Sequence, residues 1–371
     1  MAMPAAGASI LLSKTSYHKT GKLTCKNKRK DYLCDAMMKN FINRPIPLYV
    51  FILFIVAVLP VFFLLFPQAT PASDLPVNQD MQSSCKVSLQ RLGGFTFIKP
   101  LVYAEQETES VDYRSVKQDL QNLIDSKKSQ GLLRNGAVYF REFSGGQWFG
   151  IQEKAPFSPG SLLKVPELIA FYKMKEKEPG LFDKKFLFDK EQVVDRRLHF
   201  LSKRLEVGKT YTVRDFLEYM IVHSDNQATM ILNALVNRDV FVKVFTDIGL
   251  PSPDFNARDY PISAKDYSRF FIELYNGSYL TFKDSEASMT LLSQVVFKEG
   301  MIKGIPASVP VCHKFGESGS DAEPHFSESG IVFVENKPYL LTVMLSGHDV
   351  QKLPAISAEI SDLVYRFVAQ P

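Results

Sequence analysis

Metal-binding patterns are missing from this chain. Its four cysteines include no Cys-x-x-Cys and its six histidines form no His-x-x-x-His or comparable cluster, so the sequence offers no basis for a metal site and no cofactor is expected. A strong charge of one sign is also lacking. The net charge is +4, and the first 44 residues alone carry nine basic side chains against Asp31 and Asp35, which leaves no basic surface elsewhere to suggest nucleic acid as a partner. No internal repeat is visible, and nothing indicates an oligomer.

What is present is an ordinary globular composition, 46% hydrophobic and 23% charged over 371 residues, enough for one large domain or two smaller ones. Pro45 to Ser73 holds no charged residue, and Leu48 to Phe66 is apolar at about the ~20-residue length that crosses a bilayer core. The long basic segment before it, the length of the apolar run and the poor cleavage site Ala69-Thr70-Pro71-Ala72 favour a retained anchor over a cleaved signal. The positive-inside bias then puts residues 1–44 in the cytoplasm as a basic tail and everything after the anchor (45–66) outside. Cys25 and Cys34 fall on the cytoplasmic side. Cys85 and Cys312 fall outside, where a disulfide is chemically permitted, and the sequence leaves open whether they meet. Residues 67–94, rich in Pro, Ser, Gln and Asp, read as a tether, and a folded domain is expected over 95–371.

Within that domain, Phe95 to Ala104 reads as an extended lead-in, and Val116, Leu120, Leu123 and Ile124 set a helical period over Asp112–Ser126. A hairpin follows, Gly136–Phe143 and Gln147–Gln152 around Ser144-Gly145-Gly146. Helical spacing then runs through Ser161–Lys177, Val213–His223, Asp225–Val236, Ser263–Tyr275 and Asp284–Phe297. Three strands are expected over Val309–Phe315, Ser329–Glu335 and Tyr339–Ser346, and an amphipathic helix over Ile356–Val368. Two strands, a helical insertion, three strands and a closing helix make an α+β pattern, with one antiparallel sheet built from both ends of the domain.

Three Ser-x-x-Lys sequences occur, at Ser16, Ser83 and Ser161. The first lies in the basic tail and the second in the tether. Only Ser161 follows a Pro-Gly break at the start of an apolar helix, where free N–H groups stabilise a developing anion and Lys164 stands one turn on as a base for the hydroxyl. Ser224-Asp225-Asn226 caps the next helix. Read chemically, Ser224 relays a proton to a leaving nitrogen, Asn226 holds Lys164 and a substrate amide, and Asp225 serves the backbone of the turn. Lys314-Phe315-Gly316 offers a fixed cation for a substrate carboxylate and a glycine that lets an extended substrate approach the strand edge. The backbone N–H of Glu317, with that of Ser161, completes an oxyanion hole. Gly208-Lys209-Thr210 ends like a phosphate loop but has Lys203 where that loop needs glycine, and His223 and His313 read as structural.

In this order the motifs resemble the S-x-x-K, S-D-N and K-T-G set of class A β-lactamases and penicillin-binding proteins, from about Phe95 to the C-terminus. Val207 to Asp215 and Glu328 to Val332 resemble that family too. The resemblance implies an α/β sandwich: an all-helical lobe and a five-stranded antiparallel sheet flanked by helices, with the site between. It implies a serine hydrolase acylated at Ser161 by β-lactams or related D-alanyl peptides, held at a bacterial cytoplasmic membrane by one N-terminal helix, with its catalytic domain on the periplasmic or cell-wall side. Two departures stand out. Phe315 occupies the position of a Thr or Ser whose hydroxyl helps bind the substrate carboxylate. The E-x-x-L-N loop that carries the deacylating glutamate is not found; Asp254 and Asp259 are the acidic residues nearest to that role, and slow deacylation is expected. A penicillin-binding D,D-peptidase acting on peptidoglycan is the alternative within the same chemistry, and a catalytically dead tethered binding module is the alternative outside it. On these boundaries, a chain starting close to Gly94 is expected to be soluble, monodisperse and cooperatively folded, and size-exclusion chromatography with urea unfolding checks it.

Overall fold

The computed structural model describes residues 87–370 apart from 194–198, 201, 256 and 258. The expected anchor, Cys25, Cys34, Cys85 and the tether up to residue 86 lie outside them. Among the described residues no helix is long and apolar enough to cross a membrane.

Five antiparallel strands form the central sheet: β3 (Leu133–Glu142), β4 (Trp148–Ile151), β9 (Val311–Gly319), β10 (Pro324–Val332) and β11 (Tyr339–Gly347), in the order β4-β3-β11-β10-β9. Both chain ends contribute, as the sequence pattern predicts. Every residue of β11 is buried, which requires cover on both faces of the sheet. Neighbouring residues of a strand point to opposite faces. On one face, Ser329 of β10 and Thr342 of β11 join their hydroxyls at 2.6 Å, and Thr342 meets Ser268 of α6 (Ala264–Asn276) at 2.7 Å. On the other, the adjacent Glu328 accepts from the hydroxyl of Ser357 on α8 (Leu353–Val368) at 3.0 Å, and α8 packs with α1 (Arg114–Ser129).

The remaining helices gather beside α6. α2 (Lys164–Lys177) is buried from Lys164 to Tyr172 without a polar face, which makes it the centre of the helical side. It contacts α3 (Val213–Val222), α5 (Arg238–Asp247) and α7 (Phe282–Ser293), and α4 (Asn226–Leu235) packs on α3. Eight α-helices and the five-stranded sheet thus make a mixed α/β fold among the described residues.

Three features differ from the expectations. Strand β1 (Val87–Arg91) pairs with β2 (Leu101–Gln106), so part of the segment read as tether is a paired strand. Two short strand pairs join distant segments: β5 (Pro156–Phe157) with β8 (Ile262–Ser263), and β6 (Lys185–Phe188) with β7 (Lys209–Thr212). Strand β10 starts at Pro324 rather than Ser329, because Pro324 to Glu328 pair with β9, and it ends at Val332 rather than Glu335. Cys312 is a buried free thiol, its pKa pushed up to about 12 by burial and by Glu286.

Glu328 is wholly buried and accepts from His313 Nδ1 (2.8 Å), the Met301 N–H (2.6 Å) and Ser357 Oγ (3.0 Å). A Cβ on Gly300 would sit 2.1 Å from its Oε2, so the carboxylate fills the space that a side chain would need. Glu328→Ala is expected to cost about 3 kcal/mol or more, since it strands three buried donors at once; the shift in urea midpoint measures it.

Candidate active site

Ser161 lies in a single 3-10 turn, Gly160–Leu163, that leads directly into α2. Residues three apart eclipse one another in such a turn, so Ser161 and Lys164 share one face. The turn is held from three sides. Tyr267 of α6 donates its hydroxyl to Leu162 O at 2.8 Å, Ser318 of β9 donates to Ser158 O at 2.6 Å, and Ser158 donates to Asp259 at 2.8 Å. Backbone of β9, the sheet's edge strand, comes closer than any side chain allows. A Cβ on Gly316 would lie 2.5 Å from Pro159 O and 2.8 Å from Ser161 N, and one on Gly160 would lie 2.1 Å from Glu317 O. Gly160 also has φ +53°, which favours glycine. The two backbone N–H groups expected to form the oxyanion hole, those of Ser161 and Glu317, therefore belong to segments in direct backbone contact.

The Ser-Asp-Asn segment arrives between α3 and α4. Asp225 caps α4 by accepting from the Ala228 N–H at 2.7 Å, and Ser224 just before it takes the left-handed φ of +55° that few non-glycine residues adopt. This bend aims Ser224 and Asn226 at the same lysine. Lys164 Nζ donates to Ser224 O (2.7 Å), Asn226 Oδ1 (2.9 Å) and Ser224 Oγ (3.3 Å). Lys314 Nζ, from β9, donates to Ser224 Oγ (2.9 Å) and to Phe315 O (2.8 Å). One hydroxyl thus accepts from two lysines, which leaves its own proton to be given away.

Both lysines are buried, and removal from water disfavours their charged forms. Burial brings Lys164 down to about 7, with Asp225, Glu167 and Glu317 pulling it back up. Lys314 falls well below the ordinary lysine value through burial and the positive charge of Lys164.

A cavity of about 470 Å³ opens beside the serine. Ser161, Lys164, Asn226 and Glu317 line it on the motif side, and the loop between α5 and β8 closes the other with Asp254, Asp259 and Tyr260. Asp259 accepts from Ser158 Oγ at 2.8 Å and from the Tyr260 N–H at 2.9 Å. The Glu317 carboxylate binds His199 Nδ1 (2.8 Å) and the N–H groups of His199 and Phe200. Ser224, Lys314, Phe315 and Gly316 stand outside the cavity wall. The Phe315 ring is buried, stacked on Phe297 at 4.0 Å and close to Phe200 and Phe326. Among the described residues no cluster of His, Cys, Asp and Glu can hold a metal ion. His223 bonds Ser202 Oγ at 2.7 Å.

Sequence reasoning passed over Glu167. It is buried, lines the same cavity and stands one turn beyond Lys164. A lone carboxylate in the apolar run of α2 was the signal that could have found it.

A sequence model of the Beta-lactamase enzyme family matches residues 115–368. No curated protein matches the chain. Among solved structures, a variant of PBP-A in an acyl-enzyme complex with penicillin G is similar at 19% identity, covering 68% of this chain and 96% of that one with a TM-score of 0.56. A β-lactamase from Sphaerobacter thermophilus is 17% identical over 69% of this chain and 97% of its own, at 0.58. One from Chitinophaga pinensis is 17% identical over 68% and 99%, at 0.59. At these identities the likeness is one of fold.

The lysine geometry sets a pH dependence. Only the neutral amine can take the Ser161 proton, and with its pKa lowered to about 7 that form becomes dominant as pH rises through 7. Labelling of Ser161 by a fluorophosphonate is therefore expected to climb from pH 6 to 8 and then level off. In Lys164→Arg, whose side chain stays charged, labelling should fall by roughly 10²–10⁴ across that range.

Proposed function

This chain belongs to the Beta-lactamase enzyme family, and from that premise we propose that it is a serine hydrolase acylated at Ser161 by β-lactams or by related D-alanyl peptides. The observation that carries the reading is the convergence of three segments, α2 with the turn before it, the Ser-Asp-Asn segment and β9, around one hydroxyl. Lys164 of α2 and Lys314 of β9 both donate to Ser224, beside Asn226 and next to the Ser161 turn.

Each residue takes a role that its surroundings support. Lys164, buried and easily neutral, removes the Ser161 proton as the oxygen attacks the carbonyl carbon. The N–H groups of Ser161 and Glu317 receive the developing oxyanion. Ser224 passes a proton to the departing nitrogen and is resupplied from Lys164, an exchange for which its contacts with both lysines suit it. Asn226 keeps its oxygen on Lys164 and turns its amide NH₂ toward the substrate. Lys314 holds the Ser224 hydroxyl from behind, and a substrate carboxylate arriving along the strand edge at Gly316 would favour its ammonium form and pair with it. Phe315 offers that carboxylate no hydroxyl, which weakens the hold on classical β-lactams.

Release of the acyl group is the slow part of this reading. No glutamate stands in the loop between α5 and β8, and Asp259 is committed to Ser158 and the Tyr260 N–H. That same observation favours a second reading, a penicillin-binding D,D-peptidase acting on cell-wall peptides. In either case the apolar run Leu48–Phe66 supports a membrane-tethered chain with its catalytic domain outside the cytoplasm.

The test is intact-mass analysis after mixing with penicillin G, the acyl group found on the PBP-A variant of similar fold. One adduct per chain is expected, absent from Ser161→Ala and retained in Ser83→Ala. A chromogenic cephalosporin should give a burst of about one equivalent and then a slow steady rate; undiminished labelling of Ser161→Ala would overturn the mechanism.

A further inference from the structure

The cavity beside Ser161 contains a carboxyl group that none of these roles uses. Glu167 is 4% exposed, and its Oε1 has no hydrogen-bond partner among the described residues. Burying a carboxyl without a partner is costly, and Leu168 and Ile169 beside it are the residues such a helix ordinarily carries. Its position is specific. The 3-10 turn aligns Ser161 with Lys164, the first α-helical turn aligns Lys164 with Glu167, and helical side chains lean toward the N-terminus. Ser161, Lys164 and Glu167 therefore follow one another on successive turns, and all three line the cavity.

The other acidic groups that face this space are occupied. Asp225 caps α4, Asp259 holds Ser158 and the Tyr260 N–H, Glu317 holds residues 199 and 200, and Asp254 is engaged as well. Tyr260 donates its hydroxyl to Pro251 O at 2.9 Å. From α4 and α5 the wall receives Thr229, Asn233 and Phe241, none of which titrates near neutrality.

We infer that Glu167 is the proton acceptor for the water that hydrolyses the Ser161 ester, working from the helix wall of the cavity in place of a glutamate from the loop. The inference rests on the serine acylation proposed above. Water oxygen bonds to the ester carbon while its proton passes to the Glu167 carboxylate, and the carbonyl electron pair moves to the oxyanion. Collapse then breaks the bond from carbon to Ser161 Oγ, Oγ takes the proton back from Glu167, and the product leaves as a carboxylic acid that ionises in solvent.

Burial raises the Glu167 carboxyl to about 8, with Lys164 pulling it down, and burial lowers Lys164 to about 7. The sign follows directly. A base whose pKa is raised is protonated and idle at neutral pH, and becomes active as pH rises through 8. Acylation, which needs only neutral Lys164, is available one unit lower. The acyl-enzyme therefore accumulates near pH 7 and turns over faster in mild alkali.

The experiment follows decay of the penicillin G adduct by intact mass on the full-length chain, from pH 6 to 9.5, for the unmodified chain, Glu167→Gln and Glu167→Leu. The release rate of the unmodified chain is expected to rise nearly tenfold per pH unit up to about 8 and level off above it. Both variants should still form the adduct, but release it with no such rise and at pH 9 roughly 10²–10⁴-fold more slowly. Variant adducts that decay at the unmodified rate with the same pH profile overturn the role of Glu167 and leave serine acylation standing. Failure of both variants to form an adduct marks a structural residue and also overturns the role. No adduct on the unmodified chain at any pH overturns the acylation reading, and this inference with it.

Discussion

The close contact between the edge strand β9 and the turn that carries Ser161 is the constraint on which the rest of the site depends. Two glycines permit it, Gly316 on the strand and Gly160 on the turn, each facing backbone atoms of the other segment at distances no Cβ tolerates. Flanking hydrogen bonds from Ser318 and Tyr267 keep the contact in register. Ser161 stands on one side of this seam and the Glu317 N–H on the other, so any widening would part the two groups that the proposed oxyanion hole needs together. The site is thus built on the most rigid kind of junction, backbone against backbone, rather than on matched side chains.

Desolvation then turns that geometry into chemistry. Two lysines, contributed by a helix and a strand 150 residues apart in sequence, meet on the Ser224 hydroxyl in a region without bulk water. In water both would be permanently charged and useless as bases. Burial weakens the charged form of each, and their mutual repulsion adds to the effect on Lys314. The same burial acts with opposite sign on Glu167, raising its pKa to about 8, past that of Lys164. Lysines and a carboxyl whose charged forms are all disfavoured by burial can hold or move a proton at neutral pH without large cost.

Hydrophobic packing around the site explains one departure from the family pattern. Phe315 stacks on Phe297 and approaches Phe200 and Phe326, so its ring belongs to a buried aromatic cluster and not to the cavity wall. The position that elsewhere supplies a hydroxyl to substrate is here used for packing, and Phe200 ties the segment after residue 198 to the sheet. Glu317 reinforces that tie by accepting from the N–H groups of His199 and Phe200.

Order and spacing along the chain singled out Ser161 as the candidate among three Ser-x-x-Lys sequences, assigned the sheet to both ends of the domain, and showed that the loop carries no glutamate. These are properties of contiguous residues: a turn break, a 3.6 or 2.0 period, a capping side chain. The limits of the hairpin at β1, the start of β10 and the significance of Glu167 were not legible, because each depends on what other segments bring. Ser327 and Glu328 read as residues before the strand until His313, Met301 and Ser357 are seen to satisfy the carboxylate and β9 to pair with both. Glu167 reads as one polar residue on a helix until the chain closes around it and removes its water. The sequence by itself determined which residues are the candidates for the chemistry and in what order they stand. Only the tertiary structure decided their protonation, because a pKa is set by the dielectric and charges that segments distant in sequence bring within a few ångströms.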